Sequence, residues 1–117
     1  MSMNVIIIAT RKISFKKKNG EMHDSVQMET FRAWQTPTCV TDEILASKDP
    51  AQAYVDWILR ERSRDQEWPV YADDDILGDG VPVGTRIVNE GKEHVEDFRE
   101  WVEFVEEQGF TVKFEMI

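Results

Sequence analysis

Four aspartates, Asp73, Asp74, Asp75 and Asp79, crowd into one short stretch of the chain. Hard cations such as Mg2+ and Ca2+ take oxygen ligands, so Asp73, Asp75 and Asp79 are the candidate metal ligands. A helix-loop-helix calcium loop needs acids at alternate positions, glycine at the sixth and glutamate at the twelfth. Counted from Asp73 the sixth position is Gly78 but the twelfth is Gly84, and counted from Asp75 the twelfth is Arg86. Asp and Gly in this mixture favour a solvated turn. No cofactor is therefore expected, and a small metal-dependent enzyme or ligand-binding domain built on residues 73–79 stands as the alternative reading of the chain.

Other chemistry lacks partners. His23-Asp24 has residue types used by metal phosphohydrolases, but those sites require more imidazoles and the only other histidine is His94. Cys39 would act as a nucleophile only beside a base that lowers its pKa, so it is expected to be a buried, inert thiol. As the only cysteine it forms neither an internal disulfide nor a thiolate zinc cage. No Gly-rich phosphate loop, nucleophile elbow or His-Glu-x-x-His helix is present. Asn89-Glu90-Gly91-Lys92 offers glycine and lysine at a helix start, where an anion binds, but glutamates follow at once.

Binding is better served. On a helix over residues 92–108, Glu93, Glu96, Glu100, Glu103 and Glu107 fall within an arc of about 80°, opposite a stripe of Val95, Phe98, Trp101, Val102 and Val105. Residues four apart rise about 6 Å, close to the spacing of successive phosphates on one nucleic-acid strand. Like charges at this spacing cost helix stability, and Arg99 is the only basic residue among them. These five glutamates are the candidate partner-binding residues, a ridge suited to a basic groove that ordinarily holds nucleic acid. Four tryptophans, Trp34, Trp57, Trp68 and Trp101, add aromatic anchors, a residue type favoured at interfaces.

The elements that hold these groups read as follows. Residues 4–15 open with Val5-Ile6-Ile7-Ile8 and predict a strand. Asn19-Gly20 predicts a hairpin, with a two-residue loop setting Lys18 opposite Glu21, Lys16 opposite His23 and Ile13 opposite Val26. The return strand lies within residues 25–35 and brings Phe31 or Trp34 to the core. Pro37 ends it, and Thr41 is placed to cap a helical turn over residues 42–45. Asp49-Pro50 starts an amphipathic helix running to about Ser63, with Ala51, Tyr54, Val55, Ile58 and Leu59 inward. Trp57 falls off that stripe. Arg60, Arg62 and Arg64 lie near its end, where cations complement the helix dipole. Residues 65–91 are least regular, with brief strands expected at 68–71 and 85–88. Gly109 stops the last helix, and Phe110, Val112, Phe114 and Met116 alternate along a final half-buried strand. The fold expected is one α+β domain over residues 1–117, a small antiparallel sheet of the N-terminal hairpin and C-terminal strand with two helices packed on one face.

Charge narrows the partners. Residues 1–20 carry five basic residues and no acid, whereas residues 21–117 carry all 23 acids against nine basic residues, for a net −9. Such a surface repels phosphate, so no direct nucleic-acid binding is expected, and three lysines at 16–18 serve a hairpin tip rather than a duplex. The longest apolar run, residues 5–9, falls far short of a membrane span, and no secretion signal is read. The chain reads as a cytoplasmic, non-enzymatic interaction protein that binds and modulates a basic protein partner, with homodimerisation open to it.

Overall fold

The computed structural model describes residues 4–71 and 80–117. β1 (Val5–Lys16) is the central strand of a three-stranded antiparallel sheet, between β2 (Met22–Phe31) and β5 (Thr111–Met116). That position explains the unbroken apolar run at its start. A central strand hides side chains on both faces, and Ile7 and Ile8, which point to opposite faces, are both buried.

The hairpin forms, one residue out of the expected register. Lys17 N–H donates to the Glu21 carbonyl (2.8 Å), Gly20 N–H donates to the Lys17 carbonyl (3.0 Å), and Gly20 takes φ 90°. The loop is therefore three residues, Lys18-Asn19-Gly20, with the left-handed glycine of a bulged turn rather than two residues in a primed turn. Lys16 lies opposite Met22, Ile13 opposite Ser25 and Lys12 opposite Val26. A slip of one exchanges the faces of β2. It places Phe31 opposite Ile7 on the helix side and turns Val26 to the other face.

Among the described residues three helices, one more than expected, cover one face of this sheet. α1 (Thr38–Ala46) follows Pro37, and Thr41 lies inside it rather than at its cap. The Thr41 hydroxyl donates to the Pro37 carbonyl (3.2 Å) and accepts from the buried Thr36 hydroxyl (2.5 Å). A buried hydroxyl must be satisfied, and here the preceding turn satisfies it. α2 (Pro50–Glu61) starts as expected, with Asp49 Oδ1 accepting from Gln52 N–H (3.1 Å) and Pro50 at the first position. Its inward face is rotated, however. Trp57 is buried and Leu59 exposed, because the buried arc extends from Tyr54 and Ile58 toward Trp57. α3 (Glu90–Glu107) completes the layer, and Val5, Ile7, Ile44, Tyr54, Ile58 and Phe98 form the centre of the core.

β3 (Gln66–Val70) and β4 (Gly84–Val88) pair with each other in a separate two-stranded sheet. Only Val88 of that pair is buried, and Arg86 lies over the Trp68 ring across the ladder (5.8 Å). With the outer half of the first hairpin, this ribbon makes the molecule long. It measures 67 × 39 × 28 Å with a radius of gyration of 20.3 Å, against about 13 Å for a compact chain of this length. Among the described residues no helix is long and apolar enough to cross a membrane.

Candidate functional site

α3 is fastened at both ends by groups outside itself. At its start Asn89 Oδ1 accepts from Lys92 N–H (3.1 Å), and Asn89 Nδ2 donates to Ser63 Oγ (3.2 Å) and Asp65 Oδ1 (3.0 Å). Gly91 lies so close to the end of α2 that a Cβ there would stand 2.5 Å from the Arg62 carbonyl oxygen. This glycine lets two helix ends touch. At the far end Gly109 (φ 87°) closes a Schellman cap, its N–H donating to the Glu106 carbonyl and Phe110 N–H to the Val105 carbonyl. The last turn carries Glu106 and Glu107 and no base, an unfavourable match to the dipole. Arg11 of β1 supplies the missing cation. Its Nη1 donates to the Gln108 carbonyl (2.5 Å) and its guanidinium lies over Phe110 (4.7 Å).

Between these fastenings Val95, Phe98 and Val105 are buried, so the opposite side is held outward. Glu93, Glu96, Glu100, Glu103 and Glu107 are all exposed. From first to last they extend about 21 Å along the helix. The one ion pair among the described residues joins Arg60 to Glu61 (3.3 Å), so none of the five is neutralised by an arginine or lysine of its own chain. Phe104, 61% exposed, stands beside the ridge.

The other candidates are placed differently. Asp73, Asp75 and Asp79, with Asp74, lie outside the described residues, and among those described no three metal-ligating side chains come together. Cys39 is exposed, contrary to expectation. It occupies the side of α1 opposite Thr41 and Ile44, which are the residues that helix buries. Of the arginines at the end of α2, Arg60 pairs with Glu61 while Arg62 lies over the Trp57 ring (5.6 Å).

A polar cluster that sequence patterning does not reveal joins three elements. Trp34 N–H donates to Tyr54 Oη (2.9 Å), and Tyr54 Oη lies 2.7 Å from His94 Nε2. Trp34 stacks on the imidazole (4.3 Å), and Phe31 packs beside it. Burial pushes the Tyr54 phenol up to about 12, offset in part by the Trp34 bond, and so keeps it protonated. Burial also lowers His94, against the opposing charge of Asp97. Tyr54 Oη thus accepts from Trp34 N–H and shares a hydrogen bond with His94 Nε2, linking the three residues in one chain of bonds. Its effect is to tie the segment after β2 to α2 and α3. The histidine that would have activated Cys39 is committed to this work.

No protein-family model, curated protein or solved structure matches the chain.

Proposed function

We propose that this chain is a non-enzymatic binding protein that presents the glutamate face of α3 to a basic protein, occupying a groove that otherwise holds a nucleic-acid backbone and so modulating that partner. The observation that carries the reading is the exposure of five carboxylates on one rigid helix, none of them ion-paired among the described residues although Lys92 and Arg99 stand on the same helix. Keeping like charges together costs stability in the free protein, and a basic groove relieves that repulsion. Their rise of about 4.5–6 Å from one to the next suits cations arranged for successive phosphates. The net charge of −9 steers a basic partner in and a duplex away. A reducing cytoplasm suits a protein whose one thiol is exposed and unpaired.

The test is competition. Basic DNA-binding proteins are loaded with a fluorescent duplex, and the chain is titrated against each complex. The wild-type chain displaces the duplex from at least one of them, with an affinity that falls steeply with salt. The triple variant Glu96→Lys, Glu100→Lys, Glu103→Lys, melting at the wild-type temperature, does not. Equal displacement by both proteins, or none by the wild type, removes the reading.

A further inference from the structure

The outer edge of β2 is bare. Sheet order β2-β1-β5 leaves its far side without a ladder among the described residues, and it is ten residues long with no break in register against β1. Proteins protect such edges with lysine, proline, bulges or short length. The same molecule uses these devices elsewhere. β5, the other edge, is six residues long and carries Lys113, while β1 beyond the reach of β5 carries Arg11, Lys12 and Lys16. β3 has Pro69. β2 has no lysine, arginine, proline or bulge, and on the face away from the helices it exposes Met22 (64%), Val26 (58%) and Met28 (60%). β2 has only the acids Asp24 and Glu29 where its neighbours carry lysine, arginine or proline.

The direction of the backbone groups can be followed from the turn. Lys17 and Glu21 form a bonded pair, and bonded pairs recur every second residue. Residues 23, 25, 27, 29 and 31 therefore turn their N–H and C=O toward β1, and 22, 24, 26, 28 and 30 turn theirs outward. Paired antiparallel to itself about Val26, β2 brings outward groups to outward groups. It sets His23 opposite Glu29 and Ser25 opposite Gln27. The two hairpin tips then point in opposite directions, with Lys16 level with Thr30 of the other copy, Lys17 level with Phe31 and Lys18 beyond it. The tips and the rest of the chain carry opposite net charge, since residues 1–20 hold five cations and no acid while residues 21–117 hold 23 acids against nine cations.

We propose that β2 pairs antiparallel with β2 of a second copy, making one continuous six-stranded sheet across a two-fold axis, with each basic hairpin tip lying against the partner's acidic body. Such an interface is isologous and closes at two copies, which saturates the edge instead of propagating a fibre.

Sedimentation velocity on the full chain, from about 1 to 100 µM, reads the mass directly. The expected species is a dimer. Val26→Lys with Met28→Lys shifts it to a monomer of unchanged circular dichroism, because both side chains are already exposed. Lys16→Glu with Lys17→Glu and Lys18→Glu weakens the dimer about tenfold or more at low salt, through like-charge repulsion. Independently, Val26→Cys in a Cys39→Ser background oxidises to a covalent dimer, since residues facing each other in a bonded antiparallel pair lie within disulfide reach. A wild-type monomer throughout the range, a dimer indifferent to Val26→Lys with Met28→Lys, or a Val26→Cys chain that stays single on oxidation overturns the proposal. None of these outcomes bears on the duplex-displacement test of the α3 ridge.

Discussion

β1 passes through two environments without a break. Over Ile7 to Thr10 it has a neighbour on each side and three helices over one face, and its side chains are buried or half-buried. From Lys12 to Lys16 it has β2 alone, and of those five residues only Ile13 is even half-buried. The backbone is the same extended ribbon in both halves. What changes is the neighbour, since β5 ends its ladder at Thr10 opposite Thr111. Cross-strand pairing and an Asn-Gly turn suffice to shape a hairpin, but two-stranded ribbons are marginal in water unless something packs on them. The inner half therefore holds the fold, and the outer half is free to meet another molecule.

Mutations that separate these halves test the contrast. The largest effect belongs to Phe98→Ala, which empties the centre of the core and costs about 3–5 kcal/mol in urea unfolding. Phe15→Ala, on the half-exposed outer ribbon, costs well under about 1 kcal/mol. Comparable losses would mean that the outer hairpin is packed in solution. Tyr54→Phe is next. It leaves the ring in place but strips Trp34 N–H and His94 of their shared partner, for about 1–2 kcal/mol with little change in the denaturant slope.

The smallest effect is a dependence on pH. Because burial lowers His94 in the folded state, the unfolded chain takes up its proton first. The stability this group contributes is whole above about pH 6.5, its ordinary value, and is lost as pH falls toward the folded value. The melting temperature of the wild type should decline from pH 7 to pH 5.5, and His94→Gln should flatten that decline. An unchanged slope would place the imidazole in contact with water.

Much of the architecture is local and can be read residue by residue. Asp49-Pro50, the alternation after Gly109, and the stripe from Val95 to Val105 each give the same answer from propensity and from periodicity, and each stands in the structure. The misreadings share a cause. Asn19-Gly20 admits both a two-residue and a three-residue loop, and only packing Phe31 against Phe98 and Trp101 selects the one that turns Phe31 inward. Trp57 and Leu59 differ by where neighbouring elements lie, which no helical wheel contains. Cys39 belongs to a residue type that is usually buried, whereas α1 buries Thr41 and Ile44 instead.

For the ridge on α3, the spacing of the five glutamates and of the apolar residues behind them is written in the chain, because a helix repeats every 3.6 residues whatever surrounds it. That no cation folds back onto the ridge, that Arg11 is drawn off to the Gln108 carbonyl, and that His94 is bonded to Tyr54 are decided only in three dimensions. So is the open edge of β2. Periodicity is a property of neighbours in sequence, but neutralisation and strand pairing depend on residues tens of positions apart. Those distances are settled when the core closes.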